Sequence, residues 1–155
     1  GLAMGDFLTK AGVPNTLYSS VAMAGIAKGY NRDDAKADMA SGRVAVLSGG
    51  TGNPFFTTDT AACLRGVELG VDAVLKATNV DGVYDADPKK DPNAQKFETI
   101  SYAEVLQREL GVMDLTAIVL CKENNMPLVV FDMLESGALA AIAGGAKVGT
   151  RVVAG

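Results

Sequence analysis

The 155-residue chain has no histidine and no tryptophan, and only two of its residues are cysteines. Without an imidazole, Ser-His-Asp and Cys-His mechanisms are excluded, and the commonest ligand of transition metals is missing. Cys63 and Cys121 lack CxxC spacing, so we predict two free, buried thiols and no metal-ligating residues. Chemistry in this chain must therefore depend on carboxylates, lysines, hydroxyl groups and backbone dipoles.

Long apolar runs and basic clusters are also missing. No apolar stretch approaches the ~20 residues of a membrane span, and no charged-then-apolar leader is seen, so we expect a cytoplasmic protein without a membrane partner. Fourteen basic and eighteen acidic residues are interspersed and give a net charge of −4. This pattern disfavours a nucleic-acid partner, and an anionic ligand would have to be bound by local groups.

The length suits a single α/β domain over residues 1–155. Apolar segments at 44–47 and 73–76 flank a helix predicted over 58–69, which is typical of a βαβ unit with parallel strands. Further strands are predicted at 16–23, 127–131 and 150–153, the last at a sheet edge. Further helices are predicted near 1–8, 31–41, 101–110, 114–122 and 137–143. Turn residues between 78 and 100 indicate a long, partly hairpin-like excursion.

The segment from Gly50 to Asp59 is the most informative, because it joins a predicted strand to a predicted helix. Its glycines let the backbone approach a ligand, and the first N–H groups of the helix add the positive end of a dipole. The loop matches neither the dinucleotide fingerprint nor the Walker pattern. We predict a phosphate site here. A glycine turn before a capped helix is the purely structural alternative.

Several motifs resemble those of the bacterial uridylate kinases of the amino-acid-kinase fold. They are Gly52 to Asp59 with Ala61-Ala62, Leu75 to Thr78, Val80 to Tyr84, Asp87-Pro88 and Val112 to Asp114. The resemblance implies a three-layer αβα sandwich with a mostly parallel sheet, incomplete at its amino terminus. It also implies transfer of the ATP γ-phosphate to UMP with Mg²⁺, which gives UDP in pyrimidine nucleotide synthesis, and a homohexamer. The chain would match the carboxyl-terminal two thirds of such an enzyme and would have little activity alone.

The resemblance further assigns roles to particular residues. The residues implied to bind UMP are Thr51, Gly52, Asn53, Pro54, Phe55, Phe56, Thr57 and Thr58. The residues implied to lie around ATP are Lys76, Thr78, Tyr84 and Asp87. Asp59 is implied to support catalysis by orienting a lysine or the magnesium ion.

Each of these roles has a simpler alternative. The two phenylalanines could belong to the core, Thr57 or Thr58 could be a helix cap, and Asp59 could be only a partner of the helix dipole. The ATP residues could be ordinary turn and surface residues. At the level of function, the alternatives are a related kinase with another acceptor and a non-catalytic nucleotide-binding fragment.

Overall fold

The computed structural model describes residues 1–155 and divides into two compact units, residues 1–69 and 70–155. The elements of the first unit are α1 (Leu2–Lys10), β1 (Asn15–Ser19), β2 (Lys28–Gly29), α2 (Arg32–Ala40), β3 (Val44–Ser48) and α3 (Thr58–Leu69). Its three strands form a parallel sheet in the order β2-β1-β3. Tyr18 of β1 and Cys63 of α3 are completely buried. The polar end of β3 leads directly into the loop that precedes α3.

The second unit has four strands and three helices. They are β4 (Val74–Thr78), β5 (Thr99–Ser101), α4 (Tyr102–Gln107), α5 (Leu115–Glu123), β6 (Leu128–Asp132), α6 (Ala138–Ala143) and β7 (Thr150–Val153). The sheet order is β4-β6-β7-β5, and only the β6–β7 pair is antiparallel. Four of the five residues of β6 are buried, so this strand is the core of the unit.

Local capping chemistry explains why the helices begin where the sequence predicts. The Asn31 side chain accepts hydrogen bonds from the N–H groups of Asp33 and Asp34, and the Asp114 side chain accepts one from Ala117. Ser101 and Glu104 form the reciprocal capping box at the start of α4. These helix starts are confirmed.

Several sequence predictions about the strands are wrong. The predicted βαβ unit is not formed within one sheet, since β3 pairs with β1 in one sheet and β4 pairs with β6 in another. The strand at 150–153 is not at an edge but lies between β6 and β5, with Val152 completely buried. Neighbours in sequence pair often but not always, and pairing depends on long-range register that a local pattern does not contain. The short strands β2 and β5 have no apolar run and were not predicted.

Two predicted elements are shorter in the structure. β1 ends at Ser19, after which the chain turns, whereas a strand was predicted as far as residue 23. α4 ends at Gln107 instead of near residue 110, because Glu109 takes a positive φ of 52° that a helix does not tolerate.

The excursion between β4 and β5 is hairpin-like, as predicted. Tyr84 and Lys96 form an antiparallel bridge, and the Phe97 N–H donates to the Val83 carbonyl over 2.9 Å. Cys63 and Cys121 form no disulfide and are buried, which is also as predicted. None of the helices has both the length and the apolar character that crossing a membrane requires.

Candidate functional site

The loop after β3 has a backbone that only glycine adopts easily. Gly49, Gly50 and Gly52 have φ values of 79°, 61° and 79°. A Cβ at Gly52 would lie 3.0 Å from the Ser20 carbonyl oxygen, and one at Gly49 would lie 3.2 Å from the Ser20 nitrogen. We call residues 49–52 the glycine loop. The close contact with the Ser20 backbone explains why side chains are disfavoured at Gly49 and Gly52.

Ser20 is a residue of this site that the sequence did not reveal. Its hydroxyl donates a 2.7 Å hydrogen bond to the Gly50 carbonyl, and its own N–H donates to Ser48 at the end of β3. A serine in a turn after a short strand carries no motif that marks such a role. Only the pairing of β1 with β3 places it under the glycine loop.

Thr57 is the N-cap of α3, as the structural alternative of a helix cap at Thr57 or Thr58 predicts. Its hydroxyl oxygen accepts from the N–H groups of Asp59 at 3.1 Å and Thr60 at 3.3 Å. The expectation that the first N–H groups of the helix face the ligand is therefore wrong for these two, because the Thr57 hydroxyl accepts from both. An anion in this region would depend more on the loop amides and hydroxyls than on the end of the helix.

Phe55 and Phe56 are not part of a core. Phe55 is completely exposed and has a φ of 69°, and about half of Phe56 is exposed. A bulky residue with positive φ is strained by about 1–2 kcal/mol relative to an ordinary conformation. Two exposed aromatic rings beside a glycine loop are available to contact a ligand.

Asp59 lies in the first turn of α3 and is partly buried. Residues 52–58, which precede it, are all exposed, and Asn53 donates its N–H to the Thr51 hydroxyl over 3.1 Å. The stretch from Thr51 to Asp59 is thus continuous from the glycine loop to the helix, as the sequence predicts.

The four residues predicted to lie around ATP all line one cavity of about 580 Å³ in the second unit. This volume is within the range of about 300–1,000 Å³ that is usual for small-molecule sites. The full lining comprises Lys76, Thr78, Asn79, Val80, Gly82, Val83, Tyr84, Ala86, Asp87, Pro88, Glu109, Leu110, Gly111, Val112 and Val130. The structure therefore brings together Lys76, Thr78, Tyr84 and Asp87, which are up to eleven positions apart in sequence.

Tyr84 is held in this cavity by two residues that were not predicted. Its hydroxyl donates to Asp81 over 2.7 Å, and Lys96 forms a 2.9 Å ion pair with the same carboxylate. The hydrogen bonds from Lys96 and Tyr84 lower the pKa of Asp81, and the bond to Asp81 raises the pKa of Tyr84. The Asp81-Gly82 pair was recognised as a turn signal and as part of the Val80 to Tyr84 motif, but no role was assigned to Asp81.

Lys76 and Asp87 both have local hydrogen-bond partners. The Lys76 ammonium donates to the Val112 carbonyl over 3.0 Å, which ties the middle of β4 to the segment that follows α4. The Asp87 carboxylate accepts from the Lys89 N–H over 3.0 Å, as expected for a turn residue. A structural role and a ligand contact are compatible for both residues, because a carboxylate has two oxygens and an ammonium has three donors.

Comparison with known proteins identifies the family. The profile of the amino acid kinase family matches residues 2–132, which is most of the chain. The chain belongs to the amino acid kinase family. The resemblance found in the sequence is thereby confirmed at the level of the family.

Individual relatives are more specific. The chain is 55% identical to a uridylate kinase of Pseudomonas aeruginosa over 155 residues and 51% identical to one of Alcanivorax borkumensis over 154 residues. These matches cover 100% and 99% of this chain, but 63% and 61% of the relatives. The chain thus spans less than two thirds of the length of these curated relatives.

Solved structures agree with the sequence relatives. A UMP kinase from Bacillus anthracis has a TM-score of 0.95 at 32% identity, and the match covers 98% of this chain and 63% of that one. A UMP kinase from Ureaplasma parvum has a TM-score of 0.92 at 35% identity, with 98% and 65% covered. The predicted α/β fold of the amino-acid-kinase type is confirmed.

Proposed function

We propose that this chain is part of an ATP-dependent UMP kinase. The observation that carries the proposal is the glycine loop, which leads through Thr51–Asp59 into α3 and is present in a chain similar throughout to proteins named uridylate kinase. In the reaction, an oxygen of the UMP phosphate forms a bond to the γ-phosphorus of ATP, and the bond from that phosphorus to the ADP oxygen breaks. The products are UDP and ADP.

The acceptor UMP is proposed to bind at Thr51–Thr58. Loop amides and threonine hydroxyls would donate to its phosphate, and the exposed rings of Phe55 and Phe56 would contact the nucleoside. Because the phosphate is already anionic at neutral pH, the reaction needs no strong general base. The protein's task is then to position the acceptor and to stabilise charge.

The donor ATP is proposed to bind in the cavity of the second unit. The ring of Tyr84 would lie against the adenine or ribose, Asp87 would accept hydrogen bonds from ribose hydroxyls, and Lys76 would approach the phosphates. Thr78 follows at the carboxyl end of β4, where ligands of parallel sheets commonly bind. The Asp81–Lys96 pair would keep the Tyr84 ring in place.

Magnesium is proposed to arrive with ATP. The structure contains no group of three histidine, cysteine, aspartate or glutamate residues able to hold a metal ion. Mg²⁺ usually binds through one or two carboxylates together with substrate phosphates, so one carboxylate such as that of Asp59 fits this mode. Bound in this way, the ion would neutralise charge on the transferring phosphoryl group.

We further propose that residues 1–155 belong to one α/β domain, since the family match crosses both units. We also propose a cytoplasmic location and self-association to a homohexamer. α1 supports self-association, because it buries no residue and exposes Leu2, Met4 and Phe7. Light scattering of the purified protein would measure its mass, and a strictly monomeric protein would contradict this part.

The test of function is ADP formation measured with a coupled assay. We expect ADP only when UMP and Mg²⁺ are both present, and a large loss of turnover in Asp59→Asn. Asp33→Asn is the matched control, because Asp33 also lies in the first turn of a helix but is remote in sequence from the loop. If Asp59 only interacts with the helix dipole, each variant would lose about 0.3–1 kcal/mol of stability. The turnover of both variants would then be unchanged.

The same assay separates the alternatives. Turnover without UMP would contradict the proposal. Turnover only with another acceptor, such as an acetylated amino acid or carbamate, would favour a related kinase. Nucleotide binding without turnover in the intact protein would favour a non-catalytic module.

A further inference from the structure

Arg65 is a charged residue of α3 to which the proposed reaction assigns no role. Its side chain is only 11% exposed, and its guanidinium carbon lies 3.9 Å from the centre of the Tyr30 ring. One terminal nitrogen forms a 2.6 Å ion pair with Glu68, and the Tyr30 hydroxyl donates to the same carboxylate over 2.8 Å. The guanidinium is therefore fixed by the Tyr30 ring on its face and by the Glu68 carboxylate at one end.

The other terminal nitrogen of Arg65 points to the glycine loop. It donates to the Ser20 hydroxyl over 2.9 Å, and that hydroxyl donates to the Gly50 carbonyl over 2.7 Å. Ser20 thus accepts from a cation and donates to the loop. A hydrogen bond from a cation polarises the hydroxyl, so its own bond to Gly50 becomes stronger.

The next link is the peptide bond between Gly50 and Thr51. Peptide bonds here are all trans, so the C=O of Gly50 and the N–H of Thr51 point in opposite directions. Because Ser20 fixes the carbonyl on one side, the Thr51 N–H is directed to the other side of the loop. No backbone or side-chain acceptor in the chain is bonded to this N–H.

The cost of burying Arg65 also argues for a role beyond stability. Its Nε atom is buried without any hydrogen-bond partner. Buried ion pairs contribute little to stability compared with well-packed apolar residues, and an unsatisfied buried donor is unfavourable. An apolar side chain in place of Arg65 could not hydrogen-bond to Ser20. The guanidinium does so and thereby fixes the geometry of Ser20 and Gly50.

We propose that Arg65 is a positioning residue for the acceptor phosphate, acting through Ser20 and Gly50 to orient and polarise the Thr51 N–H. This inference rests on the proposed function, since it takes the UMP phosphate as the ligand of the glycine loop. Arg65 itself does not touch the substrate. Its contribution is a chain of hydrogen bonds that prepares one donor before UMP binds.

The kinetic test uses Arg65→Met and Ser20→Ala in the intact protein. Each variant should raise the KM for UMP about tenfold, the size of one lost charge-assisted hydrogen bond, while the KM for ATP changes less than about twofold. The double variant should be no worse than either single one, because both break the same chain of bonds. Arg65→Lys should be intermediate, since lysine keeps the charge but not the fork of donors.

Matched controls lie in the same unit. Arg43 also donates to a backbone carbonyl, that of Asn15, and lies beside the carboxylate of Asp38. Ser41 also donates through its hydroxyl to a backbone carbonyl over 2.7 Å. Arg43→Met and Ser41→Ala should leave the KM for UMP unchanged. Equal changes in both KM values, or additive effects in the double variant, would overturn the proposal.

A second measurement does not depend on activity. The amide proton of Thr51, observed by NMR in the purified full chain, should move upfield in Arg65→Met and in Ser20→Ala, and inorganic phosphate should shift it less than in the unchanged protein. An unchanged Thr51 resonance in both folded variants would overturn the proposal. If the shifts occur but UMP is not phosphorylated, the hydrogen-bond chain stands and the proposed function fails.

Discussion

Replacing Thr150 by valine should release the hairpin-like excursion that carries Tyr84 and Asp87. Thr150 is completely buried at the start of β7. Its hydroxyl accepts from the Val83 N–H over 2.8 Å and donates to the Phe97 carbonyl over 2.5 Å. One hydroxyl thus joins both arms of the excursion to the central part of the sheet.

The expected magnitude follows from these two bonds. Valine has nearly the same shape as threonine, so packing is preserved while two backbone groups lose their partner. A buried polar group left unsatisfied costs about 1–3 kcal/mol. Because Phe97 is only half-buried, we expect a total loss of about 2–4 kcal/mol. This is a large share of the ~5–15 kcal/mol by which a folded domain is stable.

Urea denaturation and amide hydrogen exchange would measure this effect. With a slope of about 2 kcal/mol per molar urea, the midpoint should fall by roughly 1–2 M, and the Val83 amide should exchange much faster. Thr150→Ser is the control, because it keeps both hydrogen bonds and loses a methyl group worth about 0.8 kcal/mol. A loss below about 1 kcal/mol in Thr150→Val, with unchanged protection of Val83, would refute this reasoning.

Two further predictions concern the first unit. Burial raises the pKa of Glu68, but hydrogen bonds from Arg65 and Tyr30 outweigh it and leave this pKa below its ordinary value of 4.5. The difference in free energy of unfolding between wild type and Glu68→Gln should therefore be largest above pH 4.5 and should shrink as the pH falls below that value. Urea denaturation over this pH range would measure it, and a constant difference would be contrary evidence. Phe55→Gly should not destabilise the fold and should stabilise it by up to about 1 kcal/mol, because it relieves a positive φ and removes a ring without contacts. The same variant should raise the KM for UMP, and unfolding at lower urea with an unchanged KM would contradict both expectations.

The parts of the fold that were predicted correctly are those that short-range chemistry decides. Asn31 and Asp114 cap helices because their side chains reach N–H groups two or three residues ahead. α3 begins after the Thr57 cap and ends at Leu69, because the next residue, Gly70, has a positive φ of 69°. Such interactions are complete within a few residues, so the sequence contains all the information that they need.

The sequence proposes the residues of the candidate site but not the residues that hold them in place. The stretch Thr51–Asp59 and the residues around Tyr84 could be proposed because their motifs are continuous or closely spaced. Ser20 and Arg65 were missed because their roles exist only once β1, β3 and α3 are packed together. Lys96 was missed for the same reason, since the hairpin alone brings it to Asp81.

By itself the sequence determined the helix starts, the turn-rich excursion, the glycine loop and the family. Only the tertiary structure decided the strand order, the central place of β7 and the exposure of Phe55 and Phe56. The physical reason is that caps and turns are satisfied locally, whereas strand pairing and burial depend on which distant segments exclude water together. In the proposed anion site, the Gly50 carbonyl is held by the Ser20 hydroxyl, which Arg65 contacts in turn, and both residues lie outside the loop.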